Sequence, residues 1–214
     1  METATRKSIA INESGLVKMA RERGWTVGAY PNEGVWYLET RKNDRVGLEE
    51  IAKFRTLTMI LLRGGIKPVH DDAAFDLSSR MQDVLVCDSE ISQNSFDSLI
   101  SSDFLKTVSL VDCKIEDVEL LALRSKPYLN AVRLSRTPLT LRQCRTLMMF
   151  PKLAKLEISD CDVESSVLLE IIGSGVSDDI IIGEGDMSDI EIRGIRTKFP
   201  SQRILVMSGA FDLP

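Results

Sequence analysis

The sequence has little of what membrane-spanning, secreted or nucleic-acid-binding proteins usually carry. No run approaches the roughly 20 apolar residues that cross a bilayer, and residues 1–12 contain no apolar stretch of the kind that opens a secretory signal. The net charge is −5, whereas binders of nucleic acid or anionic membranes concentrate positive charge on one face. We therefore expect a cytoplasmic protein that binds neither nucleic acid nor membrane.

Residues suited to metal binding or catalysis are also few. The four cysteines are Cys87, Cys113, Cys144 and Cys161. They form no C-x-x-C pair, and isolated reduced thiols commonly pack as small apolar side chains. The single histidine, His70, precedes Asp71 and Asp72, and these acidic residues suit the start of a helix better than a metal site. We predict no metal ion, no cofactor and no catalytic residue; an enzymatic or enzyme-regulating site around His70 is the weaker alternative.

The sequence does contain a spacing of 24 residues that recurs along most of its length. The clearest copies are Leu105-x-x-Val-x-Leu110, Leu129-x-x-Val-x-Leu134 and Leu153-x-x-Leu-x-Ile158. The fourth place in other units is held by Trp36, Ile60, Val84, Ile180 and Ile204. Such a period is typical of a stacked array in which each unit buries one face against its neighbours.

Each unit contains the pattern of one strand followed by one helix. Apolar residues at the fourth and sixth places alternate with other residues, which predicts a short strand. Thr140 with Gln143, and Ser188 with Glu191, have the spacing of a helix capping box. One strand and one helix per unit predict a parallel sheet with right-handed crossovers. The predicted fold is therefore α/β, a right-handed β/α solenoid with strands on its concave side and helices on its convex side.

The period also predicts how the chain is divided. Residues 1–32 lie outside it and favour an N-terminal helical cap, with Gly24 as the helix stop. Residues 33–214 would form about eight units of 24 residues, the last of them truncated.

Three units resemble a known family. Leu105-x-x-Val-x-Leu-x-x-Cys113-x-Ile115 and its copy ending in Cys161-x-Val163 resemble the leucine-rich repeat consensus L-x-x-L-x-L-x-x-[N/C]-x-L. The unit with Thr137 at the ninth place is similar to the threonine-bearing variant of bacterial repeats. The resemblance covers about residues 33–214. It implies that the ninth-place side chain supports the loop leaving the strand by hydrogen bonding. The second unit departs from the pattern, with Lys67 at its apolar eleventh place.

In this register the third, fifth and seventh places point away from the core. We predict a non-catalytic interaction scaffold that binds a protein partner on this concave face. The predicted contact residues are Tyr37, Leu61, Leu85, Arg133, Lys155, Glu157 and Leu205. One apolar patch would form around Met59, Leu61 and Leu85, and a second around Ile181, Leu205 and Met207. The alternative is that aliphatic residues stand there because they favour strands, or that flanking segments cover them.

The last predicted strand raises a second function. Its residues are Ile204, Leu205, Val206 and Met207. An apolar edge strand with unpaired backbone groups recruits other strands. This edge predicts a homo-oligomer, or an assembly subunit that docks into a larger complex. The alternative is that residues 208–214 fold back over the edge as a cap.

Overall fold

The chain forms one sheet of nine strands with helices between them. The computed structural model describes residues 15–30, 34–67, 76–115 and 118–207. The strands are β1 (Thr26–Tyr30), β2 (Gly34–Glu39), β3 (Met59–Leu62), β4 (Asp83–Cys87), β5 (Thr107–Val111), β6 (Ala131–Ser135), β7 (Leu153–Ser159), β8 (Ser177–Gly183) and β9 (Arg203–Met207). They lie in the sheet in chain order. Strands β2 to β9 run parallel, and β1 is antiparallel to β2.

Helices alternate with these strands along the chain. They are α1 (residues 15–22), α2 (Leu48–Ile51), α3 (Gln93–Leu99), a 3₁₀ helix (Leu120–Ser125), α4 (Leu141–Met148), α5 (Ser165–Gly173) and α6 (Asp189–Lys198). Both predicted capping boxes are confirmed, at Thr140 with Gln143 and at Ser188 with Glu191. The α/β class and the mostly parallel sheet are confirmed too, and this arrangement is compatible with a β/α solenoid.

The predicted ladder of fourth-place residues is confirmed from β3 onward. Val84 pairs with Val108, Val108 with Val132, and Val132 with Leu156, each 24 residues apart. All four side chains are buried in one apolar core that also contains Phe96 from α3 and other helix residues. Because side chains alternate along a strand, the third, fifth and seventh places point to the opposite face of the sheet.

The predicted spacing is wrong between the first two parallel strands. There the step is 22 residues, since Leu38 pairs with Ile60 and Tyr37 with Met59. Trp36, which the 24-residue period placed in the core, is 37% exposed. The reason is a bulge: the pairing of β1 with β2 shifts next to Gly28, and Trp36 has no partner in β1. A shift of two residues preserves the face of the sheet, so Tyr37 moves only from the fifth-place row to the third-place row.

The second unit also differs from its predicted register. Ile66, at the tenth place, fills the core position, and it is 2% exposed. Lys67, at the predicted apolar place, is exposed. Gly65 just before it has a φ of 81°, which turns the chain one residue earlier than in the other units.

The N-terminal segment contains more than the predicted helix. Helix α1 ends at Gly24, where φ is 72°, as the glycine predicts. Strand β1 then follows and adds an antiparallel strand that the sequence pattern does not indicate. The predicted boundary at residue 32 lies outside the described residues.

Candidate functional site: the open face of the sheet

The candidate interaction surface is the face of β2 to β9 turned away from the core, here called the open face. Neighbouring strands lie about 4.8 Å apart, so eight of them extend over roughly 35 Å. The chain leaves successive strands through the same backbone turn. Asp88, Asp112, Arg136 and Asp160 all have a positive φ, between 46° and 54°, at the eighth place of their units. The open face is thus built on a repeated, regular backbone.

Side chains at the ninth place hold these turns. The Thr137 hydroxyl lies 3.0 Å from the Ser135 carbonyl oxygen and accepts a hydrogen bond from the Cys113 backbone N–H at 3.2 Å. The Cys161 thiol donates to the carbonyls of Leu134 and Ser159, at 3.2 and 3.3 Å. Each bond joins one unit to its own strand end or to the preceding unit. This is the role that the family resemblance implies for the ninth place.

The cysteines are structural rather than reactive. All four are free and buried, as the sequence predicts. Burial raises the pKa of Cys113 and of Cys161 to about 12. The thiols therefore stay protonated at neutral pH, in the form that donates to the carbonyls and not in the nucleophilic thiolate form.

One end of the open face carries the N-terminal apolar patch, formed by Tyr37, Met59, Leu61 and Leu85. Met59 is 36% exposed, and the other three are half-buried. The Tyr37 hydroxyl donates to Glu39 at 2.6 Å. Burial and this hydrogen bond raise the pKa of Tyr37 to about 12. The patch brings together three of the predicted contact regions: Tyr37, Leu61 and Leu85.

The rim of this patch is electrically balanced. Glu39 accepts from the Arg63 Nε at 2.5 Å as well as from Tyr37. Glu39 stands beside Leu61 in the sheet, in the place that the period had given to Tyr37. The sequence analysis did not identify Glu39 as part of the surface, because the bulge next to Trp36 cannot be read from spacing.

The centre of the open face is a partly buried ion pair. Arg133 and Glu157 are neighbours in β6 and β7, with 3.7 Å between Arg133 Nε and Glu157 Oε2. Glu157 is 4% exposed, so its prediction as an exposed contact residue is wrong. Among the described residues neither of these two atoms has a hydrogen-bond partner. Ser109, Ser135 and Ser159, also predicted to be exposed, are buried.

Lys155 lies in the third-place row between Ala131 and Asp179. Asp179 accepts a hydrogen bond from the Arg203 Nε at 2.6 Å. That bond, and more weakly the charges of Arg203 and Lys155, lower the pKa of Asp179. The three residues form a charged strip beside the central pair, and Lys155 is half-buried within it.

The far end of the open face is less apolar than predicted. Ile181 is 2% exposed, so it belongs to no exposed patch, whereas Leu205 in β9 is 43% exposed. Val206 and Met207 are half-buried. Strand β9 pairs with β8, and the described residues place no strand on its other side. Residues 208–214, the predicted alternative cap, lie outside the described part of the chain.

The helix side of the molecule has its own groove. A cavity of about 330 Å³ lies between the 3₁₀ helix and α4, with Leu121 and Met149 among its lining residues. Glu119 and Arg142 form an ion pair across it. The groove gathers no group of catalytic type.

No metal or catalytic centre is apparent in the ranges that the structure describes. Within them, no three His, Cys, Asp or Glu side chains converge as a metal site would require. Asp186 accepts from the backbone N–H groups of Gly183 and Asp160, and burial raises its pKa. His70 lies outside those ranges. None of the helices in them has the length and apolar character needed to span a membrane.

Comparison with known proteins gives no family assignment: no protein-family model and no curated protein matches this sequence.

Proposed function

We propose that this protein is a non-catalytic, cytoplasmic interaction scaffold that binds a protein partner through the open face. In this proposal its units form a right-handed β/α solenoid of the leucine-rich repeat type, and the open face is the concave side. The 24-residue ladder from Ile60 to Ile204 supports the solenoid. The hydrogen bonds of Thr137 and Cys161 support the resemblance to that family.

The observation that carries the proposal is the N-terminal apolar patch. Met59, Leu61 and Leu85 stand side by side on three adjacent strands and remain partly exposed. Apolar side chains gathered on a rigid surface gain roughly 25 cal/mol per Å² when a partner covers them. A few such residues commonly supply most of the binding free energy. Tyr37 completes this contact region.

The remaining predicted contacts have supporting parts in this proposal. Arg133 is partly exposed and held by Glu157, so it offers a positioned guanidinium at the centre of the face. Lys155 lies beside it. Glu157 acts through Arg133 and makes no contact of its own. Leu205 extends the surface at the far end.

The test compares affinity capture by two variants with capture by the unchanged protein. The M59S/L61S double variant removes apolar surface from the patch. The I190S variant removes an equally apolar side chain that is 76% exposed on α6, and so serves as the matched control. We expect proteins captured from native lysate to bind M59S/L61S at least about tenfold more weakly, equivalent to about 1.4 kcal/mol, and to bind I190S unchanged.

Quantitative mass spectrometry measures both losses, and circular dichroism verifies that both variants fold. Equal capture by all three proteins would place the binding surface elsewhere.

The alternative function is an assembly subunit that docks through β9. The exposure of Leu205 on a strand with one described neighbour favours it. Light scattering at high protein concentration tests self-pairing of this edge. A monomeric mass, together with complexes that persist after Leu205→Lys, would remove the edge from consideration.

A further inference from the structure

Three aromatic side chains form a continuous ridge at the edge of the open face next to the N-terminal apolar patch. This aromatic ridge consists of Tyr30, Trp36 and Tyr37. The Tyr30 and Trp36 rings are stacked, with centroids 6.0 Å apart and an interplanar angle of 26°. The Trp36 and Tyr37 rings are tilted by 35°, with centroids 5.6 Å apart. Tyr30 is 55% exposed and Trp36 37% exposed, so ring faces remain open to solvent.

The ridge depends on one glycine. Gly28 in β1 pairs with Tyr37 in β2. A Cβ atom at Gly28 would lie 2.8 Å from the Trp36 ring and 3.0 Å from the Cβ of Tyr37. The indole therefore lies across β1 only because this residue has no side chain. The same bulge that moves Trp36 out of the core places its ring on the surface.

The polar groups of the ridge limit what can bind there. Among the described residues the Trp36 indole N–H has no hydrogen-bond acceptor, so it is free to donate to a ligand. The Tyr37 hydroxyl donates to Glu39. The charge of Glu39 is in turn matched by Arg63. The ridge thus offers apolar ring faces and one free donor, with no net charge beside them.

These features favour a proline-rich segment over a basic one. A cationic ligand gains most where an unpaired carboxylate stands near the rings, and Glu39 is already paired. A polyproline II helix has about three residues per turn and leaves its backbone carbonyls unbonded. Its proline rings pack against aromatic side chains, and its carbonyls accept hydrogen bonds from groups such as an indole N–H. It is also extended before binding, so little conformational entropy is lost.

We propose that the aromatic ridge binds a proline-rich segment of the protein partner in the polyproline II conformation. This inference rests on the proposed function and names the chemistry of the bound segment. Tyr30 and Tyr37 supply ring faces on either side, and Trp36 supplies a ring and the donor.

A titration of the full-length, ¹⁵N-labelled protein with a blocked decaproline peptide tests the proposal. Because the ridge would contact only proline rings and backbone carbonyls, plain decaproline suffices as the probe. The sequence contains two tryptophans, so the spectrum contains two indole N–H signals. Trp25 is buried and donates to Asp44, which makes its signal an internal control. We expect the Trp36 signal to shift with saturation and the Trp25 signal to stay in place.

Variants separate the ridge from exposed aromatic surface in general. Trp36→Ala and Tyr30→Ala should each weaken decaproline binding by about tenfold or more, as for residues central to an interface. Phe104→Ala is the matched control, because Phe104 and Tyr128 form another exposed stacked pair with centroids 5.9 Å apart. It should leave the affinity unchanged. Dispersed amide signals in each spectrum verify folding.

An unshifted Trp36 signal at millimolar peptide would overturn the proposal. So would a Phe104→Ala variant that loses binding as much as Trp36→Ala, or a blocked decalysine peptide that binds more tightly than decaproline. The failure of the wider function is a separate result. If decaproline fails while M59S/L61S still loses its captured partner, only the ridge inference falls. If decaproline binds and that capture is unaffected, the role of the N-terminal apolar patch falls instead.

Discussion

Replacing Arg133 with methionine should lower the free energy of unfolding by about 2 kcal/mol, because it leaves the Glu157 carboxylate buried without its counter-charge. Glu157 is 4% exposed and its Oε2 lies 3.7 Å from Arg133 Nε. At that separation the attraction is about 1 kcal/mol in water and about 4 kcal/mol at the effective dielectric constant of protein surfaces. The Arg133 side chain is 33% exposed, so a value near the middle of this range is expected. Methionine preserves the apolar contacts of the arginine stem, which confines the change to the charge.

Urea unfolding of four proteins measures this effect: the unchanged chain, R133M, E157Q and R133M/E157Q. The double variant contains no unpaired charge, and we expect it to recover at least about 1 kcal/mol relative to R133M. E157Q alone should cost less than R133M, because Arg133 can still reach water. If R133M unfolds within about 0.5 kcal/mol of the unchanged chain, or if the two single effects simply add, the pair does not hold the centre of the face.

Three further outcomes follow from the ninth-place bonds, the buried thiols and the ridge. Thr137→Val should cost about 1–3 kcal/mol in urea unfolding, because it leaves the buried Cys113 N–H without an acceptor; Thr137→Ser retains the hydroxyl and should cost clearly less, and equal losses would contradict this role. Burial raises the pKa of Cys113 and Cys161 from 9.0 to about 12, so above pH 9 the unfolded chain releases protons that the folded chain keeps. The free energy of unfolding should therefore fall as pH rises from 9, by up to about 1.4 kcal/mol per pH unit for each thiol; Cys161→Ala should reduce the slope, and the same slope without this thiol would refute the assignment. Gly28→Ala should displace the Trp36 ring and shift its indole N–H signal in the free protein; an unchanged signal would show that the ring does not lie over Gly28.

The sequence predicts the ladder of the sheet well because burial imposes a strict pattern there. Val84, Val108, Val132 and Leu156 must all be apolar to fill one continuous core, and their spacing records the length of a unit. The capping box at Thr140 was readable for a similar reason, since a helix start needs particular side chains at particular places.

The errors arise where local geometry changes without a change in composition. Trp36 and Leu38 both fit an apolar place, so spacing alone could not reveal the bulge that moves Trp36 to the surface. In the second unit Ile66 and Lys67 are adjacent, and only the early turn at Gly65 decides which one is buried. Strand β1 has no partner at the 24-residue period, so the period carried no sign of it.

Burial on the open face was the other limit. Alternation along a strand indicates which face a side chain occupies, but not whether its neighbours cover it. Glu157 and Ile181 are on the predicted face, and both are nearly inaccessible. The aromatic ridge was missed for a related reason: Tyr30 lies outside the period, and Trp36 had been placed in the core.

Methyl-to-methyl nuclear Overhauser contacts in selectively labelled protein test the stacking of the units most directly. Strands that neighbour each other in the ladder lie about 4.8 Å apart. We expect cross-peaks between Val84 and Val108, between Val108 and Val132, and between Val132 and Leu156. We expect none between Val84 and Leu156, which are three strands apart, or roughly 14 Å. Missing contacts between neighbours, or a direct contact between Val84 and Leu156, would contradict the ladder and the surface built on it.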